Sequence, residues 1–132
     1  MAKTNRDTIR VNDCQILAHY KFEADQFILT LESQEIAKAT RPGQFVHLSV
    51  SGSLAMRSPI SVMSVDKDNG PFALLYKIVG EGTRQLAERK IGDIVSVIGP
   101  IGNGFKVTKN KIPLLIGGGV LAYHQLLQWR KS

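Results

Sequence analysis

Two short segments carry residue types that suit an anionic ligand, and a phosphate group is the simplest candidate. In residues 57–61, Arg57 supplies a positive charge, a proline keeps the backbone extended and Ser61 offers a hydroxyl group. In residues 75–83, an apolar run passes through two glycines to a threonine, where a helix is predicted to begin. The first N–H groups of a helix are unpaired and favour an anion, and glycines let a phosphate approach the backbone.

Each segment also has an ordinary structural explanation. Residues 57–61 alone are better explained as an edge strand with a bulge, and residues 75–83 equally well as a strand-to-helix turn. A third segment, residues 99–105, has the glycines and asparagine of a turn and is interpreted as a hinge loop between domains. Binding of an anionic ligand therefore depends on whether these segments lie close together in the folded protein.

Isolated side chains point to neither a catalytic nor a metal site. The single cysteine, Cys14, excludes an intrachain disulfide and a four-cysteine iron–sulfur cluster, and its apolar neighbours predict a buried structural thiol. The histidines His19, His47 and His124 are scattered and not at ligand spacing. We therefore predict no catalytic acid or base, no metal ligands and no iron–sulfur cluster in this chain.

The net charge of +6 raises the possibility of nucleic-acid binding, which its distribution disfavours. Residues 11–100 hold 9 basic and 10 acidic side chains, so the positive excess lies at the two ends. A surface for single-stranded nucleic acid combines basic residues with aromatic ones, and the basic residues of this chain are not interleaved with aromatic ones.

No apolar run approaches the ~18 residues of a membrane span, and the first ten residues lack a secretory signal. We therefore expect a cytoplasmic protein.

Short runs of β character fill most of the chain, and its 132 residues allow one domain with a substantial core. Strands are predicted at residues 14–20, 27–31, 44–50, 61–65, 72–79 and 94–98, with glycine-containing turns between them. One helix is predicted at residues 83–90, capped by Thr83. This order predicts an all-β-dominated fold, a six-stranded antiparallel barrel of Greek-key type with one short helix.

The pattern changes after Pro100. An apolar strand is predicted at residues 112–116, followed by three glycines and a helix at residues 120–131, which is how a parallel α/β domain starts. We therefore divide the chain into a barrel domain, residues 1–104, and the truncated start of an α/β nucleotide-binding domain, residues 105–132.

Taken together, the segments resemble a known family. The stretches RSPISVMSVD, LLYKIVGEGTRQLA and GDIVSVIGPIGNGF are similar to successive signatures in the electron-transfer subunits of two-subunit, NAD-dependent dihydroorotate dehydrogenases. These belong to a superfamily that includes ferredoxin reductases and flavin reductases. The resemblance is clearest from about Gly43 to Phe105 and extends more weakly to Cys14 and Gly119.

The resemblance implies an FAD-binding barrel. It implies that Ile60 lies against the flavin ring with Ser61 near its polar edge, that residues 75–77 hold the flavin and ribityl chain, and that Gly82 and Thr83 meet the pyrophosphate. The implied cofactor residues are Arg57, Ser58, Pro59, Ile60, Ser61, Leu75, Tyr76, Lys77, Gly82 and Thr83.

Two positions depart from the family pattern. Ser58 stands where the family has an arginine, and Arg57, one residue earlier, is expected on the opposite face of the strand. After Gly119 and Val120, Leu121 replaces the glycine expected in a pyridine-nucleotide loop, and the cysteine cluster of the family is absent. The implied NAD(H) site is therefore incomplete, and we expect this chain alone not to oxidise NADH.

Two functions follow as hypotheses. In the first, the chain is an FAD-binding electron-transfer module that moves electrons between NAD(H), FAD and an FMN-containing catalytic partner in pyrimidine biosynthesis. In the second, it is a non-enzymatic or degenerate barrel that has lost useful flavin binding. A third, a nucleic-acid-binding barrel, is disfavoured by the charge distribution. The sequence indicates no oligomeric state.

Overall fold

The described part of the chain forms a closed antiparallel barrel. The computed structural model describes residues 9–50, 57–105, 109–112, 114 and 116. The strands are β1 (Arg10–Phe22), β2 (Gln26–Glu32), β3 (Phe45–Ser49), β4 (Ser58–Val65), β5 (Pro71–Lys77) and β6 (Ile94–Ile101). They close in the order β1-β2-β5-β4-β3-β6, with every neighbouring pair antiparallel. The six predicted strands and the barrel are therefore confirmed.

The order of strands requires a crossing between β2 and β3, which are not neighbours. Helix α1 (Gln34–Ala39) lies in this connection and contacts β5 and β6. Ser33 caps it, because its Oγ accepts a hydrogen bond from the Ile36 N–H (3.3 Å) while Asn12 Nδ2 donates to the same oxygen (2.7 Å). This helix was not predicted, since six residues are too few to show a helical period.

Removing this cap is expected to destabilise the barrel. Ser33→Ala should lower the free energy of unfolding by about 1 kcal/mol, since the Ile36 N–H and the Asn12 amide both lose their acceptor. Urea unfolding followed by circular dichroism measures the change, with Ser64→Ala on β4 as a matched control. Equal midpoints for the two variants would contradict the capping role.

Inward-facing residues of all six strands fill the barrel. The largest fully buried side chains are Phe72, Ile16, Leu29, Leu31, Ile36, Leu48, Leu74, Leu86, Val46, Val62 and Val95. Ile36 and Leu86 lie on helices that cover the core. The others alternate along their strands in the period-two pattern of a closed sheet with one interior face. Gly99 is required at its position on β6, because a Cβ there would lie 2.6 Å from Val46 Cγ1 in the core.

The third segment of the sequence analysis is part strand and part loop. Its first three residues, Gly99 to Ile101, complete β6, so they are not a hinge. The rest is held against the turn before β3. There Gln44 Nε2 donates to the Gly102 carbonyl (2.8 Å) and the Phe105 N–H donates to the Pro42 carbonyl (2.8 Å).

The strand predicted at residues 112–116 is not formed at the residues that the structure describes. Ile112, Leu114 and Ile116 lie in neither strand nor helix and are 98%, 83% and 82% exposed. A parallel strand needs a paired neighbour, and no strand within the described ranges pairs with these residues. The helix predicted at residues 120–131 lies outside the described residues.

Neither helix of the described ranges approaches the length that a bilayer crossing requires, since α1 has six residues and the second helix, α2 (Glu81–Ala87), has seven.

Candidate functional site

Strands β4 and β5 are hydrogen-bonded over only part of their length. Their recorded pairs run from Val62 opposite Leu74 to Val65 opposite Phe72. The preceding half of β4, residues 58–61, pairs with β3. The last three residues of β5 pair with β2. Over these halves no β4–β5 pair is recorded among the described residues. Backbone groups at such an edge need other partners, such as water, a side chain or a ligand.

This opening lies where all three parts of the predicted site converge. Because β4 and β5 are antiparallel, the start of β4 lies at the same end of the barrel as the end of β5. Arg57 comes directly before β4, and α2 begins four residues after Lys77. The fold therefore brings the ten predicted residues, 57–61, 75–77, 82 and 83, to one end of the barrel.

Arg57 lies on the outer surface of the barrel and is only partly paired. Its Nη2 donates to Ser96 Oγ at 3.2 Å. Ser96 faces outward, since its neighbours Val95 and Val97 belong to the core, and β3 lies between β4 and β6. Arg57 therefore reaches across the outside of β3. Its Nε and Nη1 are buried and have no hydrogen-bond partner in the described structure.

The two faces of β4 separate Ile60 from Ser61. Ile60 is 6% exposed and belongs to the core with Val62, whereas Ser61 lies between them on the other face and is 8% exposed. Pro59 is exposed. The predicted contact of Ile60 with a flavin ring thus has to be made from the interior face, at the open β4–β5 edge, and it stays a prediction.

Residues 75–77 also divide between the two faces of β5, and their contact with the flavin and ribityl chain stays a prediction. Tyr76 belongs to the core and is 3% exposed, because strand side chains alternate and its neighbour at period two, Leu74, points inward. Leu75 is 4% exposed but lies outside the core cluster, and Lys77 is exposed. Leu75 and Lys77 therefore share the outer face with Ser61.

Helix α2 begins earlier than predicted, and its cap is Gly80, not Thr83. Thr83 is the third helical residue, and its Oγ1 accepts hydrogen bonds from the N–H groups of Val79 (2.9 Å) and Gly80 (3.2 Å). Glycine has no side chain to cap with, so the Thr83 hydroxyl instead reaches back to the turn. Its buried position fixes the exit of the chain from β5 relative to α2.

The charged side chains on α2 are engaged with one another. Arg84 forms ion pairs with Glu81 and, at 3.0 Å, with Glu88. The hydrogen bond from Arg84 lowers the pKa of Glu81 to about 2, so this carboxylate stays ionised at neutral pH. Arg84 is therefore already paired, and the cations among the ten predicted residues are Arg57 and Lys77.

The structure adds a polar network that sequence reasoning did not find. The hydroxyl of Tyr76 lies 2.7 Å from His19 Nε2, and His19 Nδ1 lies 2.8 Å from the Arg89 carbonyl oxygen. A carbonyl only accepts, so Nδ1 carries a proton and donates, while Nε2 pairs with the Tyr76 hydroxyl. Burial raises the pKa of Tyr76 and keeps its hydroxyl protonated. No local signal marks a contact between residues 19 and 76.

Cys14 is fully buried on the inner face of β1, which confirms the predicted structural thiol. Burial, aided by the charge of Asp13, raises its pKa to about 12. The thiolate form that a nucleophile needs is therefore scarce at neutral pH.

A second opening, a cleft of about 530 Å³, lies beside the C-terminal end of α2. It is lined by His19, Lys21, Phe27, Ala87, Arg89, Lys90 and Ile91, and none of the ten predicted residues is among them. Within the described ranges, no group of three or more His, Cys, Asp or Glu residues is arranged to hold a metal ion.

Comparison with known proteins gives consistent results. Residues 13–105 match the oxidoreductase FAD-binding domain family. The chain is 42% identical over 117 residues to the electron transfer subunit of dihydroorotate dehydrogenase B (NAD(+)) of Lysinibacillus sphaericus, covering 85% of this chain and 45% of that protein. It is 41% identical over 97 residues to the subunit of the same name from Bacillus mycoides, covering 70% of this chain and 38% of that one. The chain thus spans less than half of each relative.

Solved structures share the fold. The NADH-dependent reduced ferredoxin-NADP oxidoreductase, a flavin-based electron-bifurcating enzyme, aligns with a TM-score of 0.65 and 32% identity over 70% of this chain and 34% of its own. The ferredoxin reductase of carbazole 1,9a-dioxygenase aligns with a TM-score of 0.77 over 94% of this chain and 41% of its own. At 23% identity, the latter supports the barrel alone.

Proposed function

Because this chain belongs to the oxidoreductase FAD-binding domain family, we propose that FAD binds at the open β4–β5 edge, with its pyrophosphate between Arg57 and the start of α2. The ten residues present at this end of the barrel fit the group. They offer two unpaired strand edges, one incompletely paired guanidinium and the first turn of a helix.

One observation carries the proposal, namely the two buried N–H donors of Arg57 that have no partner in the described structure. Leaving such donors unsatisfied costs free energy, so proteins retain them where a ligand completes the pairing. A phosphate oxygen is a strong acceptor that suits the planar guanidinium. In the structure the side chain reaches over β3 to Ser96 on β6, so contact with a phosphate at the β4–β5 edge would require it to leave Ser96 and turn toward β5. Arg57 thereby supplies the cation that Ser58 cannot.

The remaining residues would enclose the rest of the cofactor. Ser61 and Leu75, both buried on the outer face, would line the flavin, and Lys77 would add a positive charge at the rim. Ile60 would close the site from the interior, with Pro59 beside it. Gly82 and the backbone N–H of Thr83 would face the pyrophosphate, as the resemblance implies.

The protein as a whole is proposed to act in electron transfer of the dihydroorotate dehydrogenase type. The 41–42% identity to electron transfer subunits of dihydroorotate dehydrogenase B (NAD(+)) supports this proposal. Bound FAD would supply the ability to take up and release electrons, and the barrel would bind, orient and shield it. The proposed partners are NAD(H) and an FMN-containing catalytic subunit of pyrimidine biosynthesis.

A titration of the purified chain tests the cofactor assignment. FAD is expected to bind with a dissociation constant at least about tenfold below that of FMN, because its diphosphate can contact both Arg57 and the start of α2, whereas FMN has a single phosphate. Quenching of flavin fluorescence measures both affinities, with riboflavin as the control without phosphate. Equal affinities would contradict the pyrophosphate site. Absence of binding at micromolar protein would instead favour a barrel that has lost its flavin.

A further inference from the structure

His19 connects three elements of the barrel through two hydrogen bonds. It lies on β1, its Nε2 meets the Tyr76 hydroxyl on β5, and its Nδ1 meets the Arg89 carbonyl just after α2. β5 and α2 are also the two elements that carry the proposed flavin and pyrophosphate contacts. We propose that His19 is a positioning residue that sets the spacing between the β5 edge and α2. This inference rests on the proposed function, because that spacing matters to a ligand held at both places.

The β5 end of the connection is rigid. Tyr76 is 3% exposed and its ring stacks on Phe27, with centroids 5.2 Å apart and planes at 11°. Loss of His19 would leave the Tyr76 hydroxyl without this hydrogen-bond partner. The Tyr76 backbone lies between Leu75 and Lys77, and any shift of the ring moves these residues with it.

At the α2 end, hydrogen bonds at two points add to the packing of Leu86 in the core. Thr83 ties the first turn to the exit of β5 through the N–H groups of Val79 and Gly80. His19 ties the other end through the Arg89 carbonyl, two residues after the last helical residue. A helix of seven residues is about 10 Å long and moves as a unit. Without His19 the C-terminal end of α2 keeps the packing of Leu86 but loses this hydrogen bond, so we expect the helix to shift and to displace the Gly82 and Thr83 amides.

A positioning role and a merely stabilising role predict different binding data. A ligand that spans both elements gains affinity from their fixed spacing, because the second contact forms at a high effective concentration. A ligand that uses only one element does not depend on that spacing. Loss of His19 should therefore weaken FAD much more than riboflavin, which lacks the phosphates, or ADP, which lacks the flavin.

The experiment compares wild type with His19→Ala in the full chain, at a temperature where both are folded. The FAD dissociation constant is expected to rise about tenfold, equivalent to about 1.4 kcal/mol, while riboflavin and ADP change by less than about twofold. Tyr76→Phe should give a similar loss, and the double variant should add little to it. Tyr20→Phe, at an exposed tyrosine of β1, is the matched control. Equal losses for all three ligands, or an unchanged FAD affinity, would overturn the positioning role.

Hydrogen exchange of the ligand-free protein separates this inference from the proposed function. In His19→Ala, amides of residues 75–78 and 80–88 should exchange faster, whereas the β1–β6 seam around Asp13 and Ser96 should not change. If wild type binds no FAD, the proposed function fails, and exchange still decides whether His19 holds α2 against β5. Unchanged exchange in α2 would refute that tie.

Discussion

Arg57→Ala is expected to weaken FAD binding by about 1.5–3 kcal/mol, or roughly 10- to 150-fold, the range for loss of hydrogen bonds to a charged group. The reason is the pair of buried donors, Nε and Nη1, which have no partner in the described structure and which a phosphate would satisfy. The same substitution should not lower the free energy of unfolding of the ligand-free protein, because it removes a buried charge that is incompletely paired.

A loss of FAD affinity without a loss of stability distinguishes a binding residue from a structural one. Isothermal calorimetry measures the affinity and urea unfolding measures the stability, both on the same preparations. Arg57→Lys should recover only part of the affinity, since an ammonium group lacks the planar fork of a guanidinium. Lys67→Ala, in the β4–β5 turn at the other end of the barrel, removes an equal charge as the control. A destabilised variant with unchanged FAD affinity would refute the phosphate role.

Thr83→Val is the second substitution with a large expected effect, because it acts on both stability and binding. The free energy of unfolding should fall by about 1–2 kcal/mol, the range for loss of a helix-capping side chain. The N–H groups of Val79 and Gly80 lose their acceptor, because valine has a methyl group where threonine has its hydroxyl. Position 83 is buried, so the methyl group stays against these N–H groups. FAD affinity should fall about three- to tenfold, since the first turn of α2 is no longer fixed against β5.

Thr83→Ser is the matched control, because it keeps the hydroxyl and removes only the methyl group. It should retain most of the stability and of the FAD affinity. Thermal unfolding and FAD titration of both variants test this. A loss in Thr83→Val confined to stability would show that Thr83 shapes the turn without positioning the pyrophosphate contacts.

Local patterns identified the barrel correctly because its strands are short, alternate in polarity and end at glycines. Gly43, Gly70 and Gly92 adopt positive φ angles at or beside turns that bound predicted strands. Local patterns failed where the signal was short or ambiguous. Helix α1 buries only Ile36 and Ala37, which is too little to establish a helical period. At α2, Thr83 was predicted to be the N-cap, but it is the third residue of the helix and accepts hydrogen bonds from the turn before it.

The sequence by itself determined the barrel, the order of its strands along the chain and the three segments that could meet an anion. Only the tertiary structure decided how they meet. The Arg57–Ser96 hydrogen bond joins residues 39 apart, and the Tyr76–His19 bond joins residues 57 apart. Such contacts depend on which strands become neighbours when the barrel closes and on where β4 and β5 stop pairing. Period-two alternation assigns each residue to a face, but it contains no information about the partner across the sheet.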